Sequence, residues 1–168
     1  MTASFHQHLS DDELVRRFRG GDDAAFEALY ERHHAWIAAL ALRFCGDRDG
    51  ALDVLQDTFA YLLRKRATLE LRAQMRTFLY PVVKHLALSR KERDRRPLPP
   101  PPAPAPAAGN VDDLLTGLSD VQREVVQMRF TDGLELQDIA DALEVPLGTV
   151  KSRLHGALEI LRDRLSNR

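Results

Sequence analysis

Two carboxylates and six histidines have the most obvious potential for chemistry in this chain of 168 residues. Asp53 and Asp57 are one helical turn apart, a spacing that suits a metal ion or general acid–base catalysis. A metal site would need a second cluster of acids or histidines, and none occurs at a suitable spacing. His33 and His34 are adjacent and therefore point to different sides of a helix. The sequence predicts no catalytic residue, no metal site and no cofactor.

The same two carboxylates belong to a polar helix face. Asp53, Gln56, Asp57 and Ala60 recur at i, i+3, i+4 and i+7, which aligns them along the helix axis. Two interpretations of this face stay open, a docking surface for another protein and an ordinary solvated surface. The residues of this helix that are suited to the core are Leu52, Leu55, Phe59, Leu62 and Leu63.

Residues 133–153 are typical of two short helices joined by a tight turn. Pro146 interrupts the apolar pattern and fits the first turn of a new helix. The arrangement predicts a helix-turn-helix. The apolar face of the first helix comprises Leu136, Ile139, Ala140 and Leu143, and that of the second comprises Leu147, Val150, Leu154, Leu158 and Leu161.

The second of these helices carries side chains that can bind DNA. Thr149, Ser152 and Arg153 lie opposite its apolar stripe, flanked by Lys151 and His155, and such groups donate to phosphates and base edges. Residues 146–168 hold five bases and two acids, whereas residues 112–145 hold two bases and nine acids. This contrast favours a DNA-binding helix on an acidic support. The alternative is an ordinary helical hairpin with solvated charges.

A second basic region covers residues 64–96, which hold eleven bases and three acids, a net charge of +8. Residues 1–63 have a net charge of −5. Phe78 and Tyr80 lie among these cations, and such a mixture suits single-stranded or opened nucleic acid. The alternative is that the aromatic residues belong to the core and the charges are solvated. We expect at least one of the two aromatic side chains to be buried.

The elements that position these residues are all predicted to be helical. Helices are expected from Ser10 to Gly20, from Asp22 or Asp23 to Gly46, over residues 50–66 and over residues 73–95. Residues 97–110 begin with seven prolines in ten positions, which predicts a spacer of about 43 Å in polyproline II geometry. The predicted fold is all-α, with two small helical domains, residues 10–96 and 111–168, joined by a proline-rich linker.

The overall composition limits the cellular location. No apolar run reaches 18 residues, so we expect no membrane insertion. The N-terminus lacks the features of a secretory signal. Cys45 is the single cysteine and cannot form an intramolecular disulfide. These features predict a cytoplasmic protein.

Several motifs in this order resemble the extracytoplasmic-function (ECF, group IV) sigma factors of bacterial RNA polymerase. The resemblance covers nearly the whole chain, from Asp11 to Leu165. In the first domain it rests on Glu13-Leu-Val, Gly21-Asp-Asp-Ala-Ala-Phe-Glu-Ala-Leu-Tyr30, Ala51-Leu-Asp-Val-Leu-Gln-Asp-Thr-Phe59, Phe78-Leu-Tyr and Leu86-Ala-Leu. In the second it rests on Leu118-Ser through Arg129, Asp138-Ile-Ala and Pro146-Leu-Gly-Thr-Val-Lys-Ser-Arg-Leu-His155.

The resemblance implies a non-enzymatic specificity subunit that directs core polymerase to promoters and helps to open them. Its expected partners are promoter DNA, the clamp helices of the largest polymerase subunit, the flap region of the second-largest subunit and an anti-sigma factor. Asp53, Gln56 and Asp57 would dock on the clamp helices. The minus-ten element would contact Arg76, Thr77, Phe78, Tyr80, Lys84, His85, Arg90 and Arg93. The minus-thirty-five element would contact Gly148, Thr149, Lys151, Ser152, Arg153 and His155.

The chain departs from the family pattern at several positions. The family usually has Trp near Phe78, Asn at the position of His85 and Asp at that of Ser89. Pro81 predicts a kink or a late helix start. Glu144 stands where the turn commonly has Gly, and a left-handed conformation there would cost about 1–2 kcal/mol. Gly156 replaces a common Arg, which predicts the loss of one phosphate contact.

Two other classes of protein are alternatives to a sigma factor. A stand-alone helix-turn-helix regulator would use the first domain for dimerisation or sensing, but it would need neither the polar face of Asp53 and Asp57 nor a second basic domain. An enzyme would need a nucleophile–base pair, a glycine-rich phosphate loop or a cluster of metal ligands, and the sequence contains none of these.

Overall fold

The computed structural model describes residue 6, residues 8–94 and residues 115–166, and it divides the chain into two compact units, Met1–Arg96 and Pro97–Arg168. The described elements are helical, which confirms the all-α class. The predicted linker, residues 97–110, lies outside the described residues. Unit 1 contains α1 (Asp11–Arg19), α2 (Asp23–Cys45), α3 (Arg48–Lys65), a 3₁₀ helix (Arg66–Thr68) and α4 (Met75–Asp94). Unit 2 contains α5 (Asp120–Phe130), α6 (Leu136–Leu143) and α7 (Leu147–Ser166).

Side-chain caps start the first three helices. The Ser10 hydroxyl accepts a hydrogen bond from the Glu13 amide at 3.3 Å, as the sequence predicts for a capping box. The Asp22 carboxylate caps α2, and the Asp47 carboxylate accepts from the Gly50 amide at 2.6 Å at the start of α3. Gly46 ends α2 in the left-handed conformation, with φ of 84°. Local signals therefore fix the helix boundaries of unit 1.

Helix α2 is the centre of unit 1, because α1, α3 and α4 all pack against it. The prediction that Leu52 and Leu63 belong to the core is wrong, since they are 52% and 48% exposed. These two positions are nearly in line on the solvent side of α3, and a surface helix buries only one stripe. The buried stripe of α3 instead comprises Ala51, Val54, Leu55, Thr58, Phe59 and Leu62.

Two charged groups attach α1 to the rest of unit 1. Asp11 accepts hydrogen bonds from Arg32 at 2.6 Å and from His33 at 3.0 Å. At the other end of α1, the Arg66 guanidinium donates to the Phe18 carbonyl at 2.7 Å and lies 3.2 Å from the Asp23 carboxylate. Arg66 thus has a structural role, although it belongs to the basic region of residues 64–96.

Helix α4 continues through Pro81 from Met75 to Asp94. Pro81 has no amide hydrogen, so the Thr77 carbonyl lacks the donor that a helix supplies four residues later. The proline ring is on the exposed side of α4. The late helix start that Pro81 predicts is wrong, because the helix begins six residues earlier, at Met75.

Unit 2 is built around α7, which packs against α5 and α6. A reciprocal capping box of Ser119 and Gln122 starts α5. The prediction that Leu158 belongs to the apolar stripe of α7 is wrong, because Leu158 is 42% exposed and the adjacent Ala157 is fully buried. The small alanine faces the cluster of Leu115, Leu118 and Val126.

Candidate nucleic-acid and protein interfaces

Helices α6 and α7 form the predicted helix-turn-helix. The turn depends on Glu144, whose φ of 54° and ψ of 42° place it in the left-handed region. The Val145 amide donates to the Ala140 carbonyl at 3.0 Å, which closes the end of α6. Pro146 follows, and its carbonyl accepts from the Thr149 amide at 2.9 Å in the first turn of α7. The turn therefore requires of Glu144 the left-handed conformation, whose cost could be stated from the sequence only as a condition.

The first two turns of α7 present a polar stripe to solvent. Gly148, Ser152 and His155 follow one another at i, i+4 and i+7, and all three are exposed. Lys151 is exposed on one flank of the stripe, while Thr149 and Arg153 are half-buried on the other flank. No atom would lie within 4 Å of a Cβ at Gly148, so the surface is open there. This stripe has the shape and donors that fit a major groove.

An acidic residue closes the stripe at its C-terminal end. The Glu159 carboxylate lies 3.5 Å from the His155 imidazole, and both side chains are largely exposed. A carboxylate at this position repels phosphate, so it limits how far along α7 a DNA backbone can follow.

Gly156 does not lie in the polar stripe. A Cβ at this position would be 3.1 Å from the Gln122 amide nitrogen of α5, so the glycine allows close approach of two helices. The expected loss of a phosphate contact at Gly156 stays a prediction. A larger residue would have to displace Gln122, which also caps α5.

In unit 1 the structure removes two residues from the candidate DNA-binding set. Thr77 is 4% exposed and Tyr80 is 1% exposed. The prediction that their side chains contact DNA is wrong for this conformation, because both belong to the core side of α4. Tyr80 is the aromatic residue that we expected to find buried, and its ring packs edge-on to Phe44 at 6.1 Å.

The remaining candidates on α4 lie on different sides of the helix. Phe78 is half-buried, and the exposed His85 follows it seven residues later on the same face. Lys84 and Arg76 are half-buried on another side, where Lys84 lies 5.9 Å from the Phe44 ring and Arg76 lies 5.5 Å from the Trp36 ring. Arg93 is exposed near the end of the helix. The eight predicted contacts do not form one surface.

A cleft beside Phe78 adds residues that the sequence reasoning missed. Its volume is about 280 Å³. Cations and an aromatic ring at one opening are suited to a phosphate and an unstacked base. Of the residues that line the cleft, the sequence analysis named only Phe78 as a DNA contact, because α3 and α4 contribute to this cleft from positions far apart in the chain. Its lining comprises Tyr61, Lys65, Thr68, Leu69, Glu70, Arg72 and Phe78.

The polar face of α3 is exposed at Asp53, Gln56 and Asp57, as its spacing predicts. Leu52 and Leu63 lie along one edge of this face and give it an apolar border. The Asp53 carboxylate forms an ion pair with Arg90 of α4. The face thus combines acidic and apolar groups, a composition suited to contact with another protein.

The described parts of the chain contain no group of three or more histidine, cysteine, aspartate or glutamate residues that could hold a metal ion. No described helix is long and apolar enough to cross a membrane.

Comparison with known families identifies both units. Residues 29–97 match the model of Sigma-70 region 2, and residues 114–163 match the model of Sigma-70 region 4. The two matches follow one another in this order and together cover most of the chain. The two compact units thus define a protein of the sigma-70 class.

Individual relatives narrow this class. The chain is 25% identical over 184 residues to the ECF RNA polymerase sigma-E factor of Haemophilus influenzae, covering 95% of this chain and 97% of the relative. The fold is similar to that of CnrH in its complex with the cytosolic domain of CnrY, with a TM-score of 0.69, 22% identity and coverage of 94% and 97%. It is also similar to the sigma factor RpoE of Bartonella quintana in complex with the anti-sigma factor NepR, with a TM-score of 0.63, 23% identity and coverage of 84% and 96%. The chain belongs to the ECF family of sigma factors.

Proposed function

We propose that this chain is a promoter-specificity subunit that brings core RNA polymerase to DNA and performs no covalent chemistry itself. The observation that carries the proposal is the open polar stripe on α7, held by a helix-turn-helix in the unit that matches Sigma-70 region 4. The acidic face of α3 and the basic surface of α4 lie in the unit that matches region 2. One chain thus offers two surfaces for nucleic acid and one for protein.

At the minus-thirty-five element, α7 would enter the major groove of the duplex. Ser152 and His155 face outward with Gly148, whose lack of a side chain allows close approach of the backbone. Arg153 and Lys151 lie on opposite flanks, where they can contact a base edge or a phosphate on either side of the groove. Thr149 completes the set of donors at the start of the helix.

At the minus-ten element, the cleft of Lys65, Arg72 and Phe78 would hold part of the opened strand. Its volume of about 280 Å³ is sufficient for an unstacked base. The exposed His85 lies on the same face of α4 as Phe78, so it extends this surface along the helix. Arg93, Lys84 and Arg76 supply positive charge that attracts phosphates from the sides.

The α3 face of Asp53, Gln56 and Asp57 would dock on the clamp helices of the largest polymerase subunit. Its carboxylates favour a partner with arginine or lysine, and its apolar border at Leu52 and Leu63 adds buried area. Unit 2 would contact the flap region of the second-largest subunit. The Bartonella quintana relative was solved with an anti-sigma factor, and a protein of that kind is a candidate regulator of this chain.

Run-off transcription tests the proposal directly. Core polymerase is assayed on candidate promoters with and without this chain, and we expect initiation at specific start sites only when the chain is present. A chain that binds duplex DNA alone, but neither binds core nor stimulates initiation, would instead be a stand-alone regulator.

The docking face is tested by charge reversal. The double substitution Asp53→Arg and Asp57→Arg should abolish binding to core polymerase, because it replaces two carboxylates at the contact by cations. Binding is measured by titration of labelled chain with core, and far-UV circular dichroism checks that the helices remain. The matched control is Glu27→Arg with Glu31→Arg, which makes the same change in charge at exposed positions of α2. Unchanged affinity of the α3 variant would make this face an ordinary solvated surface.

A further inference from the structure

Arg90 was assigned to the DNA-binding set from sequence, but its side chain points towards α3. Val83 and Ala87 are fully buried, and Arg90 continues their stripe at i+7 and i+3. The exposed His85 lies about 140° away around the helix axis. Arg90 therefore extends from the core side of α4, and only 28% of its side chain is exposed.

The guanidinium of Arg90 lies against the first turns of α3. It donates to the Asp53 carboxylate, which belongs to the proposed docking face. A Cβ added to Gly50 would be 3.2 Å from the Arg90 Nε and 2.9 Å from an oxygen of Asp47. Gly50 thus provides the room in which the guanidinium passes over α3 to reach Asp53.

This geometry distinguishes two hypotheses about Arg90, a phosphate ligand of DNA and a residue that acts on the docking face. A phosphate ligand would extend into solvent, as the exposed Arg93 does one turn later. A residue that acts on the docking face would instead bind an acidic group of that face. Arg90 donates to one oxygen of Asp53, and the side chain of Asp53 remains 52% exposed. This contact restricts the directions in which the Asp53 carboxylate can face a partner.

We propose that Arg90 is a positioning residue of the polymerase-docking face and not a contact to promoter DNA. It orients the Asp53 carboxylate across the gap above Gly50, so that core polymerase meets a carboxylate already held in place. This inference deepens the proposed function and rests on it, because it requires that the α3 face binds core.

A double-mutant cycle on the full chain tests this role. Asp53→Asn and Arg90→Ala should each lower the affinity for core polymerase by about two- to fivefold, the range for a partly exposed ion pair. The double variant should be no weaker than Asp53→Asn alone, because the proposal has Arg90 act on core binding through Asp53. Arg90→Lys should retain more affinity than Arg90→Gln. Losses that multiply in the double variant would overturn the proposal.

DNA binding by the assembled holoenzyme supplies the second readout. The slope of log affinity against log salt should be unchanged in Arg90→Ala, while the control Arg93→Ala should reduce it by about 1 if Arg93 contacts a phosphate. A reduced slope in Arg90→Ala would make Arg90 a DNA ligand and overturn the proposal.

Gly50→Ala provides a variant that keeps both charged groups. Its methyl group should shift the guanidinium and lower core affinity. Far-UV circular dichroism checks that α3, which Asp47 caps, is kept, because the same methyl group would lie 2.9 Å from an Asp47 oxygen. An unchanged affinity would count against the positioning role. If the unsubstituted chain fails to bind core at all, the proposed function itself is wrong, and this outcome is distinct from a chain that binds core equally well with and without Arg90.

Discussion

At the scale of single residues, the two cations that flank the polar stripe of α7, Arg153 and Lys151, differ in exposure. Arg153 is half-buried on one flank, whereas Lys151 is exposed on the other. Packing restricts the directions available to Arg153, and a restricted, forked guanidinium is suited to two acceptors on a guanine. A mobile lysine is suited to a phosphate.

This difference predicts unequal effects of the two residues on specificity. Arg153→Ala should weaken initiation at the cognate promoter by about 1–3 kcal/mol and should relax discrimination at one base pair. Lys151→Ala should weaken all promoters about equally and reduce the salt dependence. Run-off transcription on promoters with single changes in the minus-thirty-five element measures both effects. An equal loss on every promoter for Arg153→Ala would assign it to a phosphate.

Glu144 is the described residue other than glycine that has a positive φ. Its side chain is exposed, so its conformational cost is not offset by burial of the side chain. Glu144→Gly should raise the free energy of unfolding of unit 2 by about 1 kcal/mol, because glycine adopts the left-handed conformation without a Cβ clash. Urea unfolding of the full chain, followed by circular dichroism, provides the measurement.

Glu144→Ala is the matched control for this effect. Alanine removes the carboxylate but keeps the Cβ, so it should give no comparable gain in stability. If alanine and glycine stabilise the protein equally, the side chain of Glu144 and not its backbone conformation causes the cost.

At the scale of helices, the attachment of α1 to α2 depends on a charged group. Burial raises the pKa of Asp11, but the hydrogen bonds and charges of His33 and Arg32 outweigh burial, and the net pKa lies below the ordinary value of 3.8. Because the pKa is lowered, the ionised Asp11 stabilises the folded state at every pH above the ordinary pKa of 3.8. This contribution is lost as the pH falls through the lowered value.

Asp11→Asn should therefore have a pH-dependent effect. At neutral pH it should lower the free energy of unfolding by about 1.5–3 kcal/mol, the range for hydrogen bonds to a charged group. The difference from the unsubstituted chain should shrink as the pH falls below 3.8. Urea unfolding at a series of pH values measures it. A difference that stays constant with pH would assign the effect to packing.

At the scale of the whole molecule, positive and negative segments alternate along the chain. Residues 64–96 and 146–168 are basic, residues 1–63 and 112–145 are acidic, and the formal net charge is −1. Each basic segment shares its unit with an acidic segment, so the net charge of each unit is small. We therefore expect each unit alone to bind DNA weakly. Core polymerase would join the two contacts into one attachment, which raises the apparent affinity without new contacts.

We therefore expect the free chain to bind a promoter duplex with a Kd on the order of 10⁻⁴–10⁻⁶ M at physiological salt, the range of non-specific binding. Addition of core polymerase should produce tight binding that discriminates the promoter from a scrambled sequence. Fluorescence anisotropy with both duplexes provides the test. Tight and specific binding by the free chain would support the stand-alone regulator.

The sequence by itself determined the helices and their ends. Ser10, Asp22 and Gly46 act on backbone groups within a few residues, so their effects can be predicted without knowledge of distant contacts. The helix-turn-helix and the resemblance to ECF sigma factors followed from the same short-range patterns.

Only the tertiary structure decided which side chains are available to partners. Thr77 and Tyr80 lie among basic residues in sequence but face the core. Leu52 and Leu158 fit an apolar helical period but remain exposed. The buried residues next to them, Ala51 and Ala157, occupy the side of each helix that packs against its neighbours. Arg90 was indistinguishable from Arg93 until its partner Asp53 was known, 37 residues earlier in the chain. The physical reason is that contacts between residues far apart in sequence decide which side of a helix is buried.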